Sequence, residues 1–182
     1  LKVVYPSTPA DAKGLLLACI EDPDPCVFFE SMRCYFTPGP VPAGYYTLPL
    51  GVAATRRAGR DLTIISYGWT VPESLAAAAE LAAEGIEAEV LDLRSLIPLD
   101  RPAILESVGR TRRALICHSA VEFGGFGAEL GLLIHRELPG GLARPVARVG
   151  GRFTPVPFAP GLEQQHFPTA ARIAAAARAL VA

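Results

Sequence analysis

From Asp61 to the C-terminus, short apolar strands alternate with helix-like segments, and this alternation leaves few folds open. "DLTIISYG" reads as a strand, and "VPESLAAAAELAAEG" as a helix with Pro72 near its start and Gly85 as its stop. "AEVLDL" is a strand. "PLDRPAILESVGR" holds a short helix capped by Asp100, with Pro102 in its first turn. "RALICHSA" is a strand, "GFGAELGLLIHREL" a helix, "RPVARVGG" a strand, and "FPTAARIAAAARALVA" a helix capped near Thr169. A strand followed by a helix returns parallel to its predecessor, and parallel strands are stable when both faces are covered. The expected fold class is α/β: a mostly parallel sheet with helices on both faces.

Residues 1–36 hold a second, smaller pattern. "LKVVY" is a β-branched strand. Ser7 or Thr8 caps a helix with Pro9 at its first position and Asp11 in its first turn. Leu15, Leu16, Cys19 and Ile20 fall at helical spacing, and Pro23 and Pro25 end the helix by Asp22. "CVFFE" then reads as a buried strand. One strand–helix–strand unit is too small to fold alone. It rests on something outside this sequence, or packs on the second domain; the expectation is the tail of a larger α/β domain. The chain begins with Leu and its sole methionine is Met32, so an N-terminus removed or lying outside this sequence is expected. Residues 37–60 are dense in Pro and Gly and read as a linker with extended stretches, ending in "RRAGR". The expected division is 1–40, 41–59 (linker) and 60–182.

Charge excludes some partners. The chain of 182 residues is 51% hydrophobic and 19% charged, with a net charge of -1 and no basic block. Nucleic acid and anionic membranes are poor partners for it. No apolar run reaches the ~18 residues of a membrane span, and no signal peptide is visible. A cytoplasmic protein is expected. Cys19, Cys26, Cys34 and Cys117 form no C-x-x-C pair, so free thiols in a reducing compartment fit better than zinc.

The segments "LKVVYPSTPADAKGLLLACIEDPDPCVFFE", "DLTIISYGWTVPESLAAAAELAAEGIEAEVLDLRSLIPLD", "HSAVEFGGFGAEL" and "TPVPFAPGLEQQHFP" together resemble the β subunits of 2-oxo acid dehydrogenase first components over essentially the whole chain. The resemblance implies an oxidoreductase subunit within a multienzyme complex. Residues 1–40 would end a pyrimidine-binding domain, and 60–182 would form a transketolase C-terminal domain. Thiamine diphosphate would sit between the pyrimidine-binding domain and an α subunit that holds magnesium, in an α2β2 assembly served by a dihydrolipoyl acyltransferase core. The family's activating glutamate and its substrate-assisting histidine have no counterpart here, so neither a catalytic nor a cofactor-binding residue is expected in this chain. In branched-chain relatives the loop matching "CIEDPDPC" contributes oxygens to a potassium site. That implies Cys19, Asp22 and Asp24 as metal-site positions. The substrate stays open between pyruvate, branched-chain 2-oxo acids and acetoin.

The remaining motifs have plainer readings. Cys117 and His118 are adjacent on a strand and point to opposite faces, so they do not make a nucleophile–base pair. His135 reads as a partly covered structural histidine, and His166 as part of an exposed loop. "GGFG" at 124–127 precedes a helix but lacks the spacing of a dinucleotide fingerprint or a P-loop, which favours a tight turn over a phosphate site. Asp92, Arg94 and Asp100 suggest a local ion network, and "PVPFAP" an extended contact segment. The alternatives to an enzyme subunit are a free-standing binding or regulatory module and a piece of another thiamine enzyme.

Overall fold

A computed structural model describes residues 1–182. Its body is a five-stranded sheet in the order β3-β5-β4-β7-β8. The strands are β3 (Ala54–Arg57), β4 (Leu62–Ser66), β5 (Ala88–Asp92), β7 (Ala114–Val121) and β8 (Ala147–Gly151). β4 runs parallel to β5 and β7, and β7 parallel to β8; only the edge strand β3 is antiparallel. Helices α2 (Thr70–Ala82), α3 (Arg101–Thr111), α4 (Gly127–Glu137) and α6 (Ala170–Val181) cover it. The expected mostly parallel sheet with two covered faces is what forms.

The two faces follow from the period of two. Ile64, Val90, Leu115 and Cys117 enter one core with Ala77, Leu81, Ile173 and Ala177 of α2 and α6. Their neighbours Ile65, Leu91 and Ile116 enter the other, with Ile104, Val108, Leu130 and Ile134 of α3 and α4. Asp100 accepts from the Ala103 N–H and Thr169 from the Arg172 N–H, so both predicted caps form.

The strand–helix–strand unit forms where it was read, with β1 (Lys2–Val4), α1 (Pro9–Glu21) and β2 (Cys26–Phe28), and a 3-10 turn at Met32–Cys34 follows it. Thr8 is the cap of α1. β2 lies parallel to β1, and β1 lies antiparallel to β6 (Ser95–Ile97), giving a three-stranded sheet β2-β1-β6. Through β6, which follows β5 in the chain, the unit packs on the body.

Three details differ from the sequence reading. β2 is half-buried to exposed, not buried, because its outer edge and one face have no neighbour. β3 forms inside the segment read as linker, held by β5. α5 (Pro160–His166) was not read: "PVPFAP" is free of helix and strand up to the extended Ala159, and its last residue, Pro160, starts the helix, since a helix needs no N–H at its first position. No helix is long and apolar enough to cross a membrane.

Candidate functional site

The polar and aromatic side chains that no single element needs are concentrated where the N-terminal unit meets the body. Asp11, in the first turn of α1, is 4% exposed. It accepts from Thr8 at 2.8 Å, from Arg94 at 3.2 Å and from Arg56 of β3. Asp92, at the end of β5, is fully buried. It accepts from the Ser7 hydroxyl at 2.5 Å, from the Arg56 Nε at 3.0 Å and from the Arg94 backbone N–H at 3.1 Å. Burial pushes the Asp92 carboxyl upward; the Ser7 hydrogen bond and Arg56 oppose it. Arg94 adopts φ 57°, the left-handed region, and its carbonyl accepts the Tyr5 N–H at 2.7 Å. That strained turn carries the chain from β5 to β6 and so creates the edge on which β1 pairs.

An aromatic row closes the other side of the junction. Tyr5 lies 5.5 Å from Phe29 and 5.9 Å from Tyr67, which lies 6.1 Å from His118 and 6.2 Å from Phe126 (ring centroids). Gly68 (φ 60°) lets this happen: a Cβ there would meet the Tyr5 ring at 2.5 Å. Farther along, Arg33 stacks on Trp69 and Phe167 and pairs with Glu163 at 2.7 Å.

The local ion network expected around Asp92, Arg94 and Asp100 is therefore real in part. Asp92 and Arg94 join it, whereas Asp100 caps α3 and accepts the Ala53 N–H. Arg56, Ser7 and Asp11 are members that sequence reasoning missed. Asp11 carried a visible signal only as a first-turn acid, and Arg56 none beyond its place in a charged segment.

The expected metal-site positions come together around the turn from α1 to β2. Cys19 is in the last turn of α1, and Asp22 and Asp24 follow it. The two carboxylates, however, face a protein cation: Lys2 Nζ is 2.5 Å from Asp22 and 3.3 Å from Asp24. The hydrogen bond from Lys2 holds the Asp22 carboxyl below the usual range. A metal ion here would depend on backbone carbonyls, and the last turn of α1 offers carbonyls with no basic side chain of its own beside them. Burial, then the adjacent Cys26 thiol, pushes the Cys19 thiol up to about 12.

At the far end of β7, His118 is fully buried, with Nδ1 3.0 Å from the Ala120 carbonyl and Nε2 unpartnered. Burial pulls its pKa down, so the neutral ring is favoured. Cys117 points into the opposite core, and burial pushes its thiol up to about 12. The two do not pair. The "GGFG" turn is tight: Gly124 has φ 68°, and a Cβ on Gly127 would come within 2.4 Å of His118 Nε2. His135 is exposed, not partly covered, because it lies on the solvent side of α4. His166 is 3% exposed, not on an exposed loop, because it ends α5 and packs edge-on against Phe167.

A cavity of about 290 Å³ lies at the start of α1, lined by Ser7, Thr8, Phe28, Glu30, Cys34 and Tyr35 among others. It has no basic residue, and no group of three or more His, Cys, Asp or Glu side chains is arranged to hold a metal.

Comparison with known proteins places the chain. Residues 51–173 match the family model for the transketolase C-terminal domain. The chain is 46% identical to the β subunit of acetoin:2,6-dichlorophenolindophenol oxidoreductase of Cupriavidus necator, covering 98% of this chain and 53% of that protein. It is 44% identical to the β subunit of 2-oxoisovalerate dehydrogenase of Pseudomonas aeruginosa, covering 97% and 54%. It is 46% identical to the pyruvate dehydrogenase E1 component β subunit of Bacillus subtilis, covering 87% and 49%. The chain thus spans about half the length of these relatives. Among solved structures, a split-gene transketolase described as an inactive β4 tetramer superposes with a TM-score of 0.83 at 26% identity, covering 99% of this chain and 57% of that one. The chain belongs to the transketolase C-terminal domain family, in the company of 2-oxo acid dehydrogenase and acetoin oxidoreductase β subunits.

Proposed function

We propose that this chain is the C-terminal part of the β subunit of a thiamine-diphosphate-dependent 2-oxo acid dehydrogenase, that it serves subunit assembly, and that it does no chemistry alone. The observation that carries this reading is the open flank of residues 1–36. β2 has no strand on its outer side, and Ile20, Val27, Phe29, Met32 and Phe36 are exposed beside it, Phe36 at 92%. Parallel strands with an unpaired edge and an uncovered apolar face fit an interrupted sheet. On this reading residues 1–40 end a pyrimidine-binding domain, 41–59 link, and 60–182 form the C-terminal domain.

The side chains present do not fit thiamine diphosphate. The cavity beside α1 offers no cation to a diphosphate and no ligand cluster to magnesium. Both belong to elements outside this chain, with magnesium on an α subunit. Potassium remains compatible with the carbonyls at the end of α1, near Cys19, Asp22 and Asp24, but not with carboxylates already paired to Lys2. A second β subunit, as in the β4 assembly of the split transketolase, suits the exposed Phe123, Phe153 and Phe158. The α subunit completes an α2β2 assembly docked to a dihydrolipoyl acyltransferase core, in the cytoplasm.

The test is reconstitution. Calorimetry with thiamine diphosphate and magnesium should show no binding to the 182-residue chain. Adding the preceding half of a relative's β subunit together with its α subunit should restore decarboxylation of a 2-oxo acid. Tight cofactor binding by the chain alone, or an assembled complex with no 2-oxo acid turnover, contradicts the proposal.

A further inference from the structure

Residues 152–165 form a flap between β8 and α6 that carries most of α5. Within it only Pro157 and Glu163 are not exposed, and Val156, Phe158 and Leu162 face solvent. Its root is well held. Arg172 of α6 donates to the His166 and Phe167 carbonyls at 3.3 and 2.8 Å, and the Arg152 N–H donates to the His166 carbonyl at 3.1 Å. Beyond the root, Phe153 meets Phe123, and one ion pair reaches α5: Glu163 accepts from Arg33 at 2.7 Å. Arg33 belongs to the N-terminal segment, in the 3-10 turn Met32–Cys34. Its guanidinium carbon lies 4.5 Å from the centre of the Trp69 ring and 4.9 Å from that of Phe167, and the two rings meet edge-on at 5.4 Å. Trp69 immediately precedes α2 of the body, and Phe167 immediately follows α5. One planar cation thus touches the unit's end of the chain, the body and the flap. A guanidinium can do this because its faces stack on rings while its edge donates to a carboxylate.

We propose that Arg33 is a bolt that makes the order of the flap depend on the seating of residues 1–36. With these residues in place, Glu163 is held and α5 is tied down. When they lift from the body, Arg33 leaves with them. Glu163 then has no partner, and the flap is held only at its root and at Phe153. The dependence runs both ways, because a contact that steadies two segments in one arrangement is lost to both when either departs. Phe158 and Leu162 ride on the flap, so the presentation of this exposed apolar surface follows the N-terminal segment. Phe158 faces a second β subunit on the assembly reading above, and the seating of residues 1–36 is thereby passed on to that contact. That consequence rests on the assembly reading, whereas the coupling is a property of the chain alone and is measured without a partner.

The experiment is hydrogen exchange read by mass spectrometry on the full 182-residue chain, in the parent, Arg33→Ala, Glu163→Ala and the double variant. In Arg33→Ala the α5 amides should exchange roughly five-fold faster than in the parent, with β4, β5 and β7 unchanged. In Glu163→Ala the lesion is on the flap, yet the bonded amides of Cys34, Tyr35 and Thr37 should also exchange faster. The double variant should be no faster in α5 than Arg33→Ala, because the pair is already broken there. Trp69, the sole tryptophan, reports the stacked side of the bolt. Its emission should shift further to the red in Arg33→Ala than in Glu163→Ala. Unchanged α5 exchange in Arg33→Ala, unchanged exchange at 34–37 in Glu163→Ala, or an unmoved Trp69 emission in Arg33→Ala would each overturn the proposal. Both side chains are partly exposed, at 42% and 37%, so neither truncation empties a core. If Arg33→Ala still unfolds, the reciprocal effect in Glu163→Ala decides.

Discussion

The body and the N-terminal unit use the same strand and helix chemistry and end in opposite states of burial. Every residue of β4 and β5 is buried, because helices cover both faces and strands flank both edges. In the unit, β2 has no buried residue, and only Asp11, Gly14 and Leu15 of α1 are buried. One of those three is a charged group, and it faces the body. The difference shows that apolar content does not decide burial; the number of covering layers does. The unit is attached by a polar cluster and an aromatic row, while the body is held by two apolar cores.

Removing the charged attachment should have the largest effect. Asp11→Ala leaves Arg56 and Arg94 facing a low-dielectric junction with one carboxylate fewer, a loss of about 3–5 kcal/mol if the whole chain unfolds together. Urea unfolding followed by both circular dichroism and cleavage within residues 37–53 would separate two cases. Early cleavage with a surviving body means that only the unit has come away. No change by either probe means that the cluster is ornamental.

A matched pair of apolar truncations sharpens the contrast. Leu115→Ala in the body should cost about 3 kcal/mol, because it leaves a cavity between helices and sheet. Ile20→Ala, at a side chain 71% exposed, should change stability by less than about 0.5 kcal/mol in this chain. Equal losses in denaturant midpoints would show that Ile20 is covered in solution.

The smallest effect concerns pH. His118 is held neutral by burial, so its folded pKa lies below its unfolded value. As pH falls through about 6.5, the unfolded chain takes up a proton that the folded chain refuses, and stability declines. Above that range the contribution is complete. His118→Leu should flatten the thermal midpoint between pH 7 and pH 5; an unchanged slope would mean that this ring does not supply it.

The body was legible because its signals are local. Asp100 with Pro102, Thr169, and the apolar periods of β4 and α6 lie within one element each. β6 was not read: it has three residues, and its partner β1 is over ninety positions away. β3 was hidden by the Pro- and Gly-rich sequence before it, and α5 by Pro160, which starts a helix as readily as it ends one. At the junction, Asp92 and Arg94 could be suspected from their spacing, but Arg56 and Ser7 could not. Their partners are set by how β3 and the start of α1 fall against β5, which is tertiary information. Lys2 escaped notice for the same reason. It faces Asp22 only because β1 lies beside the turn that follows α1.

Native-state hydrogen exchange on the 182-residue chain tests the central contrast most directly. Amides in β4, β5 and β7 should exchange only through global unfolding, and those in β1, α1 and β2 at least about ten-fold faster, through opening of the unit alone. Equal protection of residues 1–30 and the body would contradict the account, because it would make the unit a closed part of one cooperative core.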